Sequence, residues 1–279
     1  MKLATIRDGG RTVAVRIDDD GAVEVGAADV GELLRDTDWR SRAAAPTDGT
    51  KRPVDGLDYA PLIPNPDKIV CVGLNYKGHI AETAAETPAF PILFAKYRAS
   101  LVGANDDVVL PAPSESGAGD YEAELAVIIG TSVRRTPVAR ALDAVAGYAV
   151  CNDVSIRDYQ RRTTQFLQGK TWERSTPLGP WLVTADESPG PDRTIECEVN
   201  GEVLQSSTTS DLLFGVAELV SYLSTIITLE PGDVIATGTP GGVGMARNPP
   251  RWLRDGDVMV TRIEGIGECR NVCRVGGEG

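Results

Sequence analysis

Two glutamates stand two residues apart at the start of an apolar stretch. Glu122 and Glu124 lie within residues 120–125, and the apolar residues 126–129 follow directly. Because side chains alternate between the faces of a β-strand, both carboxylates would point the same way. Carboxylates that close repel each other, and one resists ionisation unless a cation lies between them. The spacing is compatible with a cation site, or with the solvent-facing side of an amphipathic edge strand.

A third acid, Asp153, ends another apolar stretch at residues 145–150. Three carboxylates at strand ends, with no Cys or His among them, suit a hard cation that prefers oxygen ligands. The residue types therefore predict Mg²⁺ or Mn²⁺ at this place.

The chain has a single histidine, His79, and Glu82 follows it three residues later. On a helix this spacing puts the two side chains in contact on one face. A carboxylate beside an imidazole orients it and raises its basicity, as a general base requires. The alternative is a surface histidine that lies near a helical glutamate by chance.

Cations are dense near residue 160, where Arg157, Arg161 and Arg162 stand close together. We expect a local anion site or an exposed helix face. The formal net charge of -12 argues against nucleic acid or an anionic membrane as a partner, because both would repel the protein.

Composition and length indicate a reduced, intracellular protein. The 279 residues include five cysteines, an odd number with scattered spacings. The N-terminus lacks the apolar segment of a signal peptide, and no apolar run approaches the roughly 20 residues that cross a bilayer. We predict a cytoplasmic location.

Short strand patterns dominate the chain, which predicts an α+β, mostly β fold. Three prolines within residues 61–66 predict an extended linker. We expect a small β-rich N-terminal domain over residues 1–64 and the main domain over residues 65–279.

Among the local elements, we predict hairpins at residues 8–11 and 200–201, a loop at 42–52, helices at 30–35, 139–146 and 217–225, and a close backbone approach by the glycine-rich residues 238–244.

From residue 68 to residue 274 the chain resembles the fumarylacetoacetate hydrolase family through motifs that stand in one order. These motifs are Gly73-Leu74-Asn75-Tyr76 with His79 and Glu82, Tyr121-Glu122-Ala123-Glu124-Leu125, Asn152-Asp153 with Arg157, Gly169-Lys170, Gly179-Pro180-Trp181, Asn200-Gly201, and Pro231-Gly232-Asp233-Val234-Ile235 with Thr237-Gly238-Thr239-Pro240. Each motif is weak alone, whereas the ordered set is specific.

The resemblance implies a mixed β-sandwich roll, a homodimer and a divalent metal, Mg²⁺ or Mn²⁺. By motif match, the metal ligands would be Glu122, Glu124 and Asp153. The catalytic groups would be His79 with Glu82, on a segment that in relatives often orders with ligand, and Lys170. The positions expected to touch substrate are Arg157, Gln160 and Thr239.

The resemblance also implies a small-molecule 2-oxo acid substrate and chemistry that stabilises an enolate. Because the His–Glu pair is intact, we favour hydrolysis of a C–C bond in a 2,4-dioxo acid, an acylpyruvate such as the aromatic-degradation product fumarylpyruvate. The alternatives are an oxaloacetate decarboxylase, an isomerase of an unsaturated 2-oxo acid such as 5-carboxymethyl-2-hydroxymuconate, and a non-catalytic binding module. For a diacid substrate, Arg157, Arg161 and Arg98 are candidate partners of the distal carboxylate.

Overall fold

The computed structural model describes residues 1–46, 51–83, 85–188 and 192–276. In chain order, the strands of these residues are β1 (Lys2–Asp8), β2 (Arg11–Asp18), β3 (Gly21–Glu24), β4 (Ile69–Gly73), β5 (Ile92–Ala95), β6 (Leu101–Val102), β7 (Val108–Leu110), β8 (Gly119–Asp120), β9 (Ala123–Ile129), β10 (Val145–Asn152), β11 (Ser155–Ile156), β12 (Thr176–Thr184), β13 (Thr194–Val199), β14 (Glu202–Thr208), β15 (Val234–Ala236), β16 (Val258–Ile263) and β17 (Gly267–Val275). The α-helices are α1 (Val30–Leu34), α2 (Trp39–Ala44), α3 (Lys77–Glu82), α4 (Val138–Ala141), α5 (Arg157–Gln160), α6 (Leu167–Lys170) and α7 (Val216–Ile226).

Two sheets form the body of the protein. The larger has ten strands in the order β3-β2-β1-β12-β10-β9-β15-β4-β5, with β6 beside β12, and the second runs β14-β13-β16-β17-β7. Apolar side chains of both sheets share one core, in which Leu125 and Val150 of the larger sheet join Met259 and Cys269 of the smaller. This packing of sheet on sheet, with short helices around it, confirms the predicted mostly β fold.

Strand β9 lies at the centre of the larger sheet. It pairs with β10 on one side and β15 on the other, and all seven of its residues are buried. A strand buried on both faces requires a nearly continuous apolar sequence, as residues 125–129 provide. The alternative of a solvent-facing edge strand for Glu122 and Glu124 is therefore wrong.

The N-terminal strands extend the larger sheet. Strand β1 pairs antiparallel with β12, where Leu3 lies opposite Leu182. The strands on the two sides of residue 64 thus share one sheet, and the division of the chain into two domains stays a prediction.

Most local expectations agree with the observed elements. Asn200 and Gly201 have φ angles of 54° and 84°, as a type I′ turn in the predicted hairpin requires, and α7 covers the helix predicted at residues 217–225. The helix expected at residues 139–146 is present as α4 and a 3₁₀ turn at Leu142–Ala144, and it is wrong only at its last two residues, because β10 begins at Val145 and pairs with β9. Helix α2 also occupies the start of the loop expected at 42–52, of which residues 47–50 lie outside the described residues.

All five cysteines are buried and free. None of the helices in the described parts of the chain combines the length and hydropathy that a bilayer crossing requires.

Candidate active site and metal centre

The pairing of β9 with β10 brings three acids together. The strands are antiparallel, so the start of β9 meets the end of β10, and Ala123 lies opposite Asn152. The backbone N–H of Asp153 donates to the carbonyl of Glu122 at 2.8 Å and holds the start of β9 against the end of β10. One carboxylate oxygen from each of Glu122, Glu124 and Asp153 lies within 4.8 Å of the others, and all three residues are buried.

Three buried cations surround these acids. Lys170 Nζ lies 2.6 Å from Glu122 Oε2 and 2.8 Å from Asp153 Oδ2. Arg157 lies 2.6 Å from the other oxygen of Glu122, and Lys96 Nζ lies 2.5 Å from Asp153 Oδ1. Each oxygen of Glu122 and Asp153 therefore has a cationic partner.

Glu124 has no such partner among the described residues. Its Oε2 accepts the backbone N–H of Gly238 at 3.0 Å. The pKa of Glu124 is raised well above its ordinary value, mainly by burial and to a smaller extent by the negative charges of Asp153 and Glu122. Burial also opposes ionisation of Glu122, but the charges of Lys170 and Arg157 outweigh it and lower its pKa to about 2. Glu124 is thus the acid of the cluster whose ionised form lacks a cationic partner.

The donor set fits a divalent cation. The three acids offer only oxygen ligands, which Mg²⁺ and Mn²⁺ prefer. With Asp120, which pairs with Arg157 at 2.8 Å, the cluster has four carboxylates against three cations. A dication would reverse the remaining negative charge and leave the site suited to an anionic ligand. Glu122, Glu124 and Asp153 are the residues that would hold it.

The glycine-rich segment after β15 approaches this cluster closely, as expected. Gly238 has a φ of +104°, and a Cβ there would lie 2.8 Å from the Cβ of Asn75. The Asn75 amide in turn donates to the carbonyl of Thr237 at 2.8 Å. This contact between the two segments places the Gly238 N–H against Glu124.

His79 and Glu82 lie on α3 and contact each other. His79 Nδ1 is 3.2 Å from Glu82 Oε2, and only 10 % of the His79 side chain is exposed. The other oxygen of Glu82 accepts the N–H of Gly242 at 2.9 Å, which fixes the carboxylate. Because an ionised carboxylate only accepts hydrogen bonds, this contact favours the imidazole tautomer with its proton on Nδ1. Nε2 then remains for proton transfer.

A cavity of about 350 Å³ joins the His–Glu pair to the acidic cluster. Its wall includes most of the predicted site residues, namely His79, Glu122, Glu124, Arg157, Gln160, Lys170 and Thr239. Apolar and polar residues complete it, among them Phe94, Phe166, Met245, Thr163 and Arg161. The structure thus brings most of the predicted catalytic, metal and substrate positions to one cavity, whereas Glu82 and Asp153 are not part of its wall and contact the wall residues His79 and Lys170.

The three predicted substrate contacts already have protein partners. Arg157 Nη1 donates to Gln160 Oε1 at 2.9 Å, and Thr239 Oγ1 accepts from the side chain of Gln205 at 2.8 Å. The side-chain carbonyl of Gln205 also accepts the N–H of Ala123 at 2.9 Å, which connects Thr239 to β9. These contacts orient the groups that face the cavity.

Sequence reasoning missed Lys96 and Asp120. Lys96 follows a short strand pattern, and nothing local distinguishes it from the polar end of that strand. Asp120 is fully buried and also accepts the N–H of Gly244 at 2.7 Å, so it connects α5 to the glycine-rich segment. Only long-range contacts reveal both roles.

Residues 68–274 match the family described as Fumarylacetoacetate (FAA) hydrolase C-terminal. The chain is 44% identical over 217 residues to the oxaloacetate tautomerase Fahd2a, mitochondrial, of Rattus norvegicus, covering 77% of this chain and 69% of that protein.

Solved structures share the whole fold. A fumarylacetoacetate hydrolase from Exiguobacterium antarcticum is 35% identical with a TM-score of 0.89, covering 99% of this chain and 100% of that one. A 5-carboxymethyl-2-hydroxymuconate delta-isomerase from Mycobacterium smegmatis is 34% identical with a TM-score of 0.81, covering 100% of both chains. A maleylpyruvate hydrolase from Sphingobium sp. SYK-6, in complex with manganese (II) ion and pyruvate, is 28% identical with a TM-score of 0.82, covering 99% of this chain and 100% of that one.

Proposed function

The chain belongs to the fumarylacetoacetate hydrolase family, and from this premise we propose that it is a divalent-metal-dependent enzyme that moves a proton at carbon 3 of a 2-oxo acid. The observation that carries the proposal is the position of His79. Its imidazole is held by Glu82 and shares a cavity with the buried acids Glu122 and Glu124, which Asp153 joins in the acidic cluster. A base beside a site for positive charge is what formation of an enolate requires.

The reaction that we favour is interconversion of the enol and keto forms of oxaloacetate. It is supported by the 44% identity to an oxaloacetate tautomerase. In the keto-to-enol direction, His79 Nε2 would take a proton from carbon 3, and the electron pair of that C–H bond would move into the C2–C3 bond. The π pair of the C2–O bond would move onto that oxygen, which would take a proton from water, and the imidazolium, stabilised by Glu82, would return its proton to water.

The cluster supplies the charge that this chemistry needs. A dication held by the three acids would stabilise negative charge on the oxygen at carbon 2. The ammonium of Lys170 lies against Glu122 and Asp153 and adds a second positive group in the same cavity.

Hydrolysis of an acylpyruvate, the reaction predicted from the sequence, is the second candidate. It is supported by the fold shared with a maleylpyruvate hydrolase that holds manganese and pyruvate. His79 would take a proton from water, and the hydroxide would add to the carbonyl at carbon 4. Cleavage of the C3–C4 bond would give a carboxylic acid and the enolate of pyruvate.

Isomerisation and decarboxylation have weaker support. The isomerase shares the fold at 34% identity, and the decarboxylase would use the same enolate. A binding module without activity would not need a histidine of the cavity wall that is oriented by Glu82. The cytoplasmic location and the homodimer stay predictions.

One set of product assays tests the proposal. Oxaloacetate, acetylpyruvate and fumarylpyruvate are each incubated with the protein, with Mg²⁺ and with EDTA. We expect metal-dependent loss of the oxaloacetate enol. Metal-dependent pyruvate and carboxylic acid from the dioxo acids alone would establish the hydrolase instead, and no reaction with any of the three would contradict both.

A further inference from the structure

Arg161 lies in the cavity wall, and none of the acids among the described residues pairs with it. The only hydrogen bond of its side chain within these parts of the protein goes from Nη2 to the thioether sulfur of Met245 at 3.8 Å. A thioether is a weak acceptor, so this contact leaves the guanidinium able to bind a stronger one.

The other cations of the wall are already engaged. Arg157 uses Nε for Asp120, Nη1 for Gln160 and Nη2 for Glu122. Lys170 lies between two carboxylates. Neither can bind a second carboxylate without leaving a buried acid unpaired.

The backbone places Arg161 one turn beyond Arg157. The N–H of Arg161 donates to the carbonyl of Arg157 at 3.1 Å, and residues four apart lie on the same side of a helix. Arg157 is buried against the acids, whereas Arg161 is exposed and lines the same cavity. The two guanidinium groups therefore mark the inner and outer parts of one cavity.

Neighbouring arginines lie elsewhere. The guanidinium of Arg162 lies over the ring of Tyr159, 3.3 Å from its centroid, and Arg162 is not part of the cavity wall. Arg98 donates to Asn65 at 2.7 Å and is likewise absent from that wall. Of the three arginines considered for a distal carboxylate, the contacts leave Arg161.

We propose that Arg161 selects 2-oxo diacids by binding the carboxylate farther from the 2-oxo group. This inference rests on the proposed function and adds to it the residue that distinguishes diacids from monoacids. When a substrate carboxylate binds, Arg161 would lose its weak contact with the sulfur of Met245 and gain charge-assisted hydrogen bonds. The planar guanidinium of arginine matches the two oxygens of a carboxylate.

A matched pair of ligands tests the inference by binding. 2-Oxoglutarate and 2-oxopentanoate have the same five-carbon chain and differ in a terminal carboxylate or methyl group. Isothermal titration calorimetry with the Mn²⁺-loaded protein gives the ratio of their dissociation constants. We expect the wild type to prefer the diacid by about tenfold, in the range of one exposed charge-assisted contact.

Substitutions assign that preference. R161Q is expected to remove it through weaker diacid binding with unchanged monoacid binding, R161K to retain part of it, and the control R162Q to keep it. A preference that is absent from the wild type, or unchanged in R161Q, would overturn the role of Arg161 while the proposed function stands. Failure of both acids to bind would overturn this inference, whereas the product assays on oxaloacetate and the dioxo acids decide the proposed function separately.

Discussion

Substitution of Lys96 by methionine tests how the acidic cluster is held together. The side chains of Lys96 and Asp153 are both 0% exposed, and the ammonium also donates to the carbonyl of Val154 at 3.2 Å. Methionine keeps most of the volume of lysine and removes the charge. Breaking a buried ion pair on one side costs roughly 3–5 kcal/mol, because an uncompensated charge stays buried.

The structure places the expected cost at the lower end of this range. Lys170 still pairs with the second oxygen of Asp153 at 2.8 Å, so the carboxylate is not left alone. We therefore expect K96M to lower the free energy of unfolding by about 3 kcal/mol. Urea denaturation in EDTA, followed by circular dichroism, measures this difference without any contribution from bound metal.

A control separates this effect from the loss of any lysine. Lys68 pairs with Asp233 at 2.9 Å, but its side chain is 16% exposed. Asp233 is only 1% exposed, but its carboxylate keeps the backbone N–H groups of Lys68 at 3.0 Å and Glu230 at 2.7 Å after the change, so we expect K68M to cost about 1 kcal/mol. A loss below about 1 kcal/mol in K96M, or equal losses in both variants, would refute the view that Lys96 neutralises the cluster.

Three further predictions concern the site itself. H79A should lower the rate of oxaloacetate tautomerisation by ~10²–10⁴-fold, with Mn²⁺ binding by calorimetry unchanged, because in the proposed function His79 transfers the proton and does not hold the metal; weaker Mn²⁺ binding would contradict this division of roles. The raised pKa of Glu124 means that metal competes with a proton there, so Mn²⁺ affinity should fall by up to tenfold per pH unit as the pH drops below that pKa. An affinity that stays flat down to pH 5 would contradict it. G238A should lower the melting temperature and weaken Mn²⁺ binding, since its Cβ would lie 2.8 Å from that of Asn75; the control G201A, at a turn where the added Cβ meets nothing within 4 Å, should leave Mn²⁺ binding unchanged.

The sequence identified the residues whose chemistry is local. Glu122 and Glu124 alternate with apolar residues at the start of a strand, and His79 and Glu82 have helical spacing. These short-range rules place side chains on a common face without knowledge of the fold. That is why the acids and the His–Glu pair could be named from the sequence.

The residues that balance the charge could not be named in this way. Lys96 and Asp153 are 57 residues apart, and Arg157 meets Asp120 across 37 residues. Such contacts depend on strand order and register, which no single segment determines. The helix expected at residues 139–146 ends two residues early for a related reason, since pairing with β9 makes Val145 the start of a strand.

The most direct test of the account is the rate at which the enol of oxaloacetate converts to the keto form. The loss of enol absorbance is followed with the wild type and H79A, each with Mg²⁺ or EDTA, and the buffer rate is subtracted. We predict acceleration by the wild type with Mg²⁺, little with EDTA, and at least a ~10²-fold loss in H79A. A wild-type rate equal to the buffer rate, or equal rates for the wild type and H79A, would contradict the assignment of His79 as the proton-transfer group.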